Sequence, residues 1–433
     1  MTPLEFAGLV LAVPVIATVV LMMLRYPVGL LAVYGAIVPF GSSLVLPVPF
    51  LPSPLRTATS LLGGIVIVRC GWEFLQSRVR TRHVPAPAAL WCLYGAVAVA
   101  SLAWSVVPST TSGGLIVLFG LLALYLVVSV YPFEASDLRV FERGVVAGAF
   151  LTSCYGLLMA AIGALPRSAA GVPRFEITGG GGGEGGDPNI TAAALLLGFA
   201  IAVFRIAAPG ESRLERWSHA AAAAFIAAGI TLTASRGGLV GIGIVLLIIL
   251  WRRGHWRVTV AVVGAVAIVM MLFPEALLLR LGDTDTTGRT GIWRSAAVAC
   301  PEYCLVGAGY DAFPDVHRAV YLSDPGALAN RPRFEAHSIW IESLLELGIL
   351  GLAILVMVLG VTTTRLVALP RPARRGALAA LVALLFTNTF LSNLAFKYFW
   401  LVLMYCAVVE STARATRQED ADRPIADEVR SVR

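Results

Sequence analysis

Lysine is nearly missing from this chain of 433 residues: Lys397 stands alone, and every other basic residue is arginine. Charge of either sign is scarce, at 14% of residues, where soluble proteins carry about 25%. That scarcity excludes a water-soluble enzyme and a solvated, disordered chain alike. No basic stretch precedes the first apolar run, Phe6 to Leu24, so that run reads as a span and not as a cleaved leader. No internal repeat is visible, which withholds support from the inverted-repeat design of many transporters. The glycine run Gly179 to Gly183, with Gly185 and Gly186, lacks the Gly-Lys-Ser/Thr ending of a phosphate-binding P-loop. No serine–histidine–acid or cysteine–histidine order is legible either.

Apolar residues make up 58% of the chain, and runs near 20 residues recur from end to end, the signature of a polytopic all-α membrane protein. About thirteen spans are expected, near 6–24, 28–47, 57–75, 88–107, 113–131, 144–165, 189–208, 218–235, 237–252, 257–273, 339–363, 376–394 and 397–412. Twelve remain if the Pro-rich stretch Pro47 to Pro54 belongs to a re-entrant turn, and the side of the N-terminus changes with that choice. The short basic loops, with Arg78, Arg80 and Arg82, Arg213 and Arg216, Arg252, Arg253 and Arg257, and Arg365, Arg371, Arg374 and Arg375, fall on one side when spans alternate. That side is cytoplasmic by the positive-inside rule. The expected organisation is N-terminal spans over 1–165, an outer glycine-rich loop over 166–188, and spans over 189–273. A large outer loop over 274–338, spans over 339–412 and a disordered cytoplasmic tail over 413–433 follow. The net charge of +7 suits anionic lipid and does not argue for nucleic acid.

The outer segment 274–338 is too long for a bare loop and should carry structure of its own. One helix should start behind Thr286 or Thr287 and set Arg289 and Trp293 on one face; "DAFPDVHRAVY" reads as a second, short amphipathic helix. Cys70, Cys92, Cys154 and Cys406 lie in apolar runs and read as small core residues, and Cys300 and Cys304 as two inert thiols. Cys300, Cys304 and His317 lack a fourth ligand, and the first two outer turns contain no acid, so neither metal nor cofactor is expected.

Four residues of the outer face stand out. Arg236, in "TLTASRGGLVG", sits at a helix start, where a cation opposes the macrodipole and a bound anion reverses that preference; it is either a phosphate ligand or an arginine snorkelling to head groups. Arg289 is a second phosphate ligand or a lipid anchor. Arg174 precedes the glycine run, which is a flexible hinge or a lid over substrate. His337 directly precedes a span; the helix dipole disfavours imidazolium there, which suits a general base or a neutral interfacial cap. His83, His219 and His255 fall in cytoplasmic loops, and His317 has no evident partner.

"TASRGGLVGIGIVLLIIL", "GRTGIWRSAAVACPEYCLVGAGYDAF" and "AHSIWIESLLELGILGL", in this order, resemble the O-antigen ligase and O-antigen polymerase superfamily. The resemblance rests on Ser235–Arg236–Gly237, on Arg289 and Trp293 leading to Gly307–Ala308–Gly309, and on His337 with Glu346–Leu347–Gly348 and Gly351. Arg174 with Asp187–Pro188–Asn189 resembles a looser further element. The match covers roughly residues 174–360, and Ser338 stands where many relatives carry Asn. The resemblance implies a GT-C-type glycosyltransferase of the cytoplasmic membrane, with its active site outward and its C-terminus cytoplasmic. It also implies a glycan donor on a polyprenyl diphosphate and a glycan, glycolipid or protein hydroxyl as acceptor. Arg236 and Arg289 would then bind the diphosphate, Arg174 would assist, and His337 would deprotonate the acceptor. Such chemistry needs charge stabilisation and a base but no metal, and in-line attack inverts the anomeric carbon. The rival expectation, a transporter or flippase of lipid-linked sugars, calls for a chain of charged residues mid-span. Arg69 and Glu73 lie near a cytoplasmic end, and no such chain is legible.

Overall fold

The computed structural model describes residues 26–41, 57–76, 84–167, 173–177, 187–250, 260, 264, 268, 289–323, 335–392 and 394–422. The expected spans 6–24 and 257–273, the cap at Thr286 or Thr287 and the glycine run lie outside them, apart from helical residues 260, 264 and 268. Among the described residues the regular elements are helical, beside one isolated bridge between Arg167 and Pro173.

The helices are α1 (Pro27–Ile37, continued by a 3-10 turn), α2 (Ala58–Leu75), α3 (Ala86–Ala100), α4 (Pro108–Val130), α5 (Ala135–Ala161) and α6 (Pro188–Ala207). There follow α7 (Arg213–Leu232), α8 (Arg236–Leu250), α9 (Arg289–Tyr303), α10 (Phe313–Ser323), α11 (Ile339–Val367), α12 (Arg371–Asn388) and α13 (Lys397–Asp422). Proline opens α1, α3, α4, α6 and α12, where its missing N–H costs nothing. Ser212 and Glu215 cap each other's backbone N–H at the start of α7 (3.0 and 3.2 Å).

Among the described residues six helices are long and apolar enough to cross a membrane: Ala58–Leu75, Ala86–Ala103, Pro108–Val130, Ala135–Ala161, Pro188–Ala207 and Ile339–Val367. Large apolar side chains such as Val68, Trp72, Leu151, Leu158, Val356 and Met357 remain exposed on the outside of the bundle. Only lipid would cover such a surface without penalty. The protein is an all-α, multi-pass membrane protein.

Helix α6 runs through the middle of the bundle, buried over most of its length among α5, α7, α8 and α12. Its Ala-rich sequence lets neighbours approach closely. The same device sets α5 against α1: a β-carbon on Gly144 or Gly148 would lie 2.3 or 2.1 Å from the Ala32 or Ala36 carbonyl oxygen, so only glycine permits this crossing.

The two ends of the bundle differ in chemistry. At one end buried ion pairs join the helices. Arg205 of α6 donates to Glu142 of α5 at 2.6 Å, and Tyr405 of α13 donates to the same carboxylate at 2.9 Å. Arg365 of α11 meets Glu410 of α13 at 2.7 Å, and within α2 Arg69 pairs with Glu73 one turn on at 2.7 Å. The other end carries the start of α2, α6, α8, α11 and α13, and onto it fold α9 and α10. These two helices share a small core of Ile292, Ala296, Ala299, Phe313, Val316 and Leu345, separate from that of the bundle. Among its described residues the segment 274–338 thus holds two helices, structure of its own as its length required.

Candidate active site

Arg236 opens α8. Ser235 caps the helix by accepting the Gly238 N–H at 3.2 Å, and the turn before it passes through Ala234 at φ +50°. Serine caps, glycine packs against Ala192 of α6, and the arginine is left exposed at the helix start. Arg174 reaches the same turn: it is 9% exposed, and its Nε donates to the Thr233 carbonyl at 3.0 Å. Phe175 holds that register by donating its N–H to the Leu232 carbonyl at 2.9 Å. Two of the four expected residues therefore flank one turn.

Asp187 caps α6, accepting from the Asn189 N–H at 2.7 Å and from the Asn189 amide at 2.9 Å. Its charge reaches both halves of the site. On one side burial raises the Glu176 carboxyl above its ordinary value, with Arg174 opposing and Asp187 adding to the rise. On the other side Asp187 acts on His337. Burial lowers the imidazole below 6.5, Asp187 pulls it back up, and Arg289 pushes it down again. His337 thus feels both a carboxylate and a guanidinium, and burial favours its neutral form at neutral pH. Its backbone is left-handed, at φ +47°, a conformation that costs roughly 1–2 kcal/mol. Such strain persists only where the surroundings enforce it.

Trp293 helps to enforce it. One turn after Arg289 on α9, its indole N–H donates to the carbonyl of Ala336, the residue before His337, at 3.1 Å, while its ring stacks on Phe390. A second device docks α9 and α10. Helix α11 breaks at Gly348 (φ +67°), and the carbonyls of Leu345 and Glu346 accept from Ala308 N–H at 2.8 Å and Gly309 N–H at 2.9 Å. Gly307 lies at φ +96°, and a β-carbon there would stand 2.2 Å from the Glu346 carbonyl oxygen. Glu346 also accepts the Phe313 N–H at 3.3 Å, at the start of α10. The Gly-Ala-Gly and Glu-Leu-Gly motifs, far apart in sequence, are the two halves of one joint.

Residues 221–356 match the sequence model of the O-antigen ligase family. That stretch, about a third of the chain, is similar to the O-antigen ligase family. The chain is also 28% identical over 253 residues to the exopolysaccharide production protein ExoQ of Rhizobium meliloti (strain 1021), across 54% of this chain and 56% of ExoQ. The chain thus spans little more than half the length of that relative.

The matched stretch 221–356 contains Arg236, Arg289 and His337; Arg174 and Asp187 lie ahead of it. In the sequence Asp187 stands out only within a motif, since nothing local reveals a carboxylate whose charge acts on a histidine 150 residues away. Two expectations are corrected. His317 does have a partner: its Nδ1 lies 2.6 Å from the Ser295 hydroxyl, buried between α10 and α9. The serine hydroxyl also donates to the Ile292 carbonyl at 2.7 Å, so the pair fastens the two helices together. Cys300 and Cys304 are not two thiols but a disulfide, closing one turn of α9. Among the described residues no three His, Cys, Asp or Glu side chains group as a metal site.

Proposed function

We propose that this protein is an inverting glycan transferase that moves a glycan from a polyprenyl-diphosphate carrier to an acceptor hydroxyl, without a metal. The observation that carries this reading is His337, a buried imidazole held below its ordinary value, on which the charges of Asp187 and Arg289 act in opposite senses, within the stretch that matches the O-antigen ligase family. The acceptor oxygen attacks the anomeric carbon as its proton passes to the imidazole. The bond from that carbon to the diphosphate oxygen breaks, and the electron pair leaves with the diphosphate. Arg289 and Arg236 meet the charge growing on the leaving group, with Arg174 bracing the turn that presents Arg236. Asp187 stabilises the imidazolium as it forms.

The reaction belongs to the outer face of the cytoplasmic membrane, with the C-terminus inside. Two independent physical facts support that orientation. Among the described residues Arg365 lies in the last turn of α11, the helix whose start His337 precedes, and Arg371, Arg374 and Arg375 lie in the first turns of α12 that follows, as the positive-inside rule asks of a cytoplasmic end. The disulfide of α9 lies on the His337 side, and disulfides persist in oxidising compartments.

The test is an analysis of lipid-linked glycans in a deletion strain complemented with wild type or His337→Ala. Long chains stranded on the carrier, unrescued by His337→Ala, identify a ligase; stranded single repeats identify a polymerase. Full rescue by His337→Ala removes the base, and an unchanged lipid-linked pool in the deletion strain points to a transporter instead.

A further inference from the structure

The surface around the joint of Gly307 and Gly348 is apolar, and no described residue covers it. On α11, directly past Gly348, Ile349 and Leu350 are 59% and 56% exposed. Beside them stand Leu305 and Val306, 74% and 54% exposed. A β-carbon on Gly348 would lie 2.4 Å from the Leu305 carbonyl oxygen, so the loop leaving α9 rests directly on the break in α11. The loop from α3 to α4 joins the same group. Val106 donates its N–H to the Ala308 carbonyl at 2.9 Å, and the side chains of Val106 and Trp104 are exposed. Three separate segments thus present large apolar side chains around one joint. A surface in water does not gather such a patch without a partner.

What covers the patch follows from its continuity with the lipid-facing side of the bundle. The exposed positions of α11 recur every three or four residues, as Ile349, Ala353, Val356, Gly360, Thr364 and Val367, and none of them is charged. Val367 follows Ile349 by 18 residues, roughly 27 Å of helix, against a hydrocarbon core of about 30 Å. Arg371, Arg374 and Arg375 come just beyond and mark the water boundary at that end. Hydrocarbon measured from those arginines therefore reaches Ile349, and any tilt of the helix carries it further. Leu305 and Val306, seated beside Ile349, meet acyl chains and not water. Trp104 suits the edge of that layer, where tryptophan is enriched. We propose that Leu305 and Val306 insert into the leaflet on the His337 side and seat the joint, and with it α9, on the membrane. Because α9 carries Arg289 and Trp293, the bilayer is then part of what fixes their height. This assignment does not depend on which reaction the site performs.

The experiment uses the full chain in liposomes of phosphatidylethanolamine and phosphatidylglycerol. The photoreactive residue p-benzoylphenylalanine is introduced singly at Leu305, Val306, Met357 and Arg318, and illuminated vesicles are searched by mass spectrometry for adducts of the chain with lipid. Met357, exposed midway along the α11 stripe, is the lipid reference, and Arg318, exposed on α10, is the water reference. Leu305 and Val306 should give lipid adducts at a yield near that of Met357 and severalfold above that of Arg318. Yields no higher than at Arg318 overturn the insertion. Chain-to-chain adducts in their place overturn it in favour of an interface between copies. Substitution supplies a second arm. Leu305→Asp with Val306→Asp should speed proteolysis of the 289–323 region severalfold in liposomes, because hydrocarbon expels a carboxylate. Leu305→Phe with Val306→Phe should match wild type. On a surface in water the acidic pair would change little, so equal protection of all three proteins overturns the anchoring.

Discussion

Replacing Gly307 by alanine tests whether the docking joint, and not merely the four site residues, makes the active site. At φ +96° an L-residue is strained by roughly 1–3 kcal/mol. The new methyl would also lie 2.2 Å from the Glu346 carbonyl oxygen, about 1 Å inside ordinary contact. The loop must back away, and the bonds from Ala308 and Gly309 to α11, at 2.8 and 2.9 Å, are lost at about 1 kcal/mol each. The joint is then weakened by about 3–5 kcal/mol, while the bundle core, which does not pass through it, stays folded. Because α9 carries Arg289 and Trp293, its displacement moves the guanidinium away from His337 and frees the Ala336 carbonyl. A shift of 1 Å at a catalytic group costs about a hundredfold in rate. The assay pairs glycan transfer in membranes with limited proteolysis of the 289–323 region. Gly307→Ala should lose transfer by roughly that factor and expose α9 and α10 to protease, with normal helical content. Gly360→Ala on the same α11 is the control, since a β-carbon there meets nothing within 4 Å; it should be neutral or stabilising by up to about 1 kcal/mol. Wild-type transfer and protease resistance in Gly307→Ala would refute the reasoning.

The pH profile offers a second test. His337 is held below its ordinary value, so kcat/KM should be flat at neutral pH and fall as acid protonates the base. Arg289→Gln removes a charge that lowers the imidazole, so the acid limb should move to higher pH. Asp187→Asn removes one that raises it while keeping an N-cap, so the limb should move to lower pH. Limbs that move in the same direction, or not at all, would show that another group is titrating. At the opposite end, Glu142→Ala leaves Tyr405 without its acceptor and Arg205 with only Glu211 at 3.3 Å, which should cost about 3–5 kcal/mol of stability. A thermal midpoint within a degree of wild type in detergent would contradict that.

Hydropathy located the helices because their middles are continuous apolar runs, but it missed their starts. The span expected at 144–165 begins at Ala135, and the one expected at 218–235 begins at Arg213. Both first turns are polar, and both are signalled by cap residues, Asp137 accepting the Glu134 N–H at 2.9 Å and Glu215 pairing with Ser212, which an apolar count ignores. The span expected at 28–47 instead gives way to the 3-10 turn after Ile37, where Pro39 and then Gly41 at φ +59° interrupt it. The last helix passes its expected end at 412 and runs to Asp422. There Arg414 and Glu410 pair one turn apart at 2.9 Å, a support that lies outside hydropathy.

The site divides along a similar line. Arg174, Arg236, Arg289 and His337 were legible because a charged or basic side chain beside a glycine turn or at a helix start is conspicuous in an apolar sequence. What makes them a site was not legible, because it depends on groups that are ordinary where they stand. Asp187 looks like any helix cap. Its meaning comes from the charge it brings to bear on His337 across the end of the bundle. The glycines show the same limit from the other direction. Gly307 and Gly348 stand in recognisable motifs, yet only their shared contact explains both: a broken α11 offers carbonyls that the Gly-Ala-Gly loop satisfies, and neither partner could be glycine-free. A motif residue can therefore be essential without touching substrate. The two roles part on one readout: loss of the joint exposes α9 and α10 to protease, while loss of His337 leaves them docked and stops the reaction.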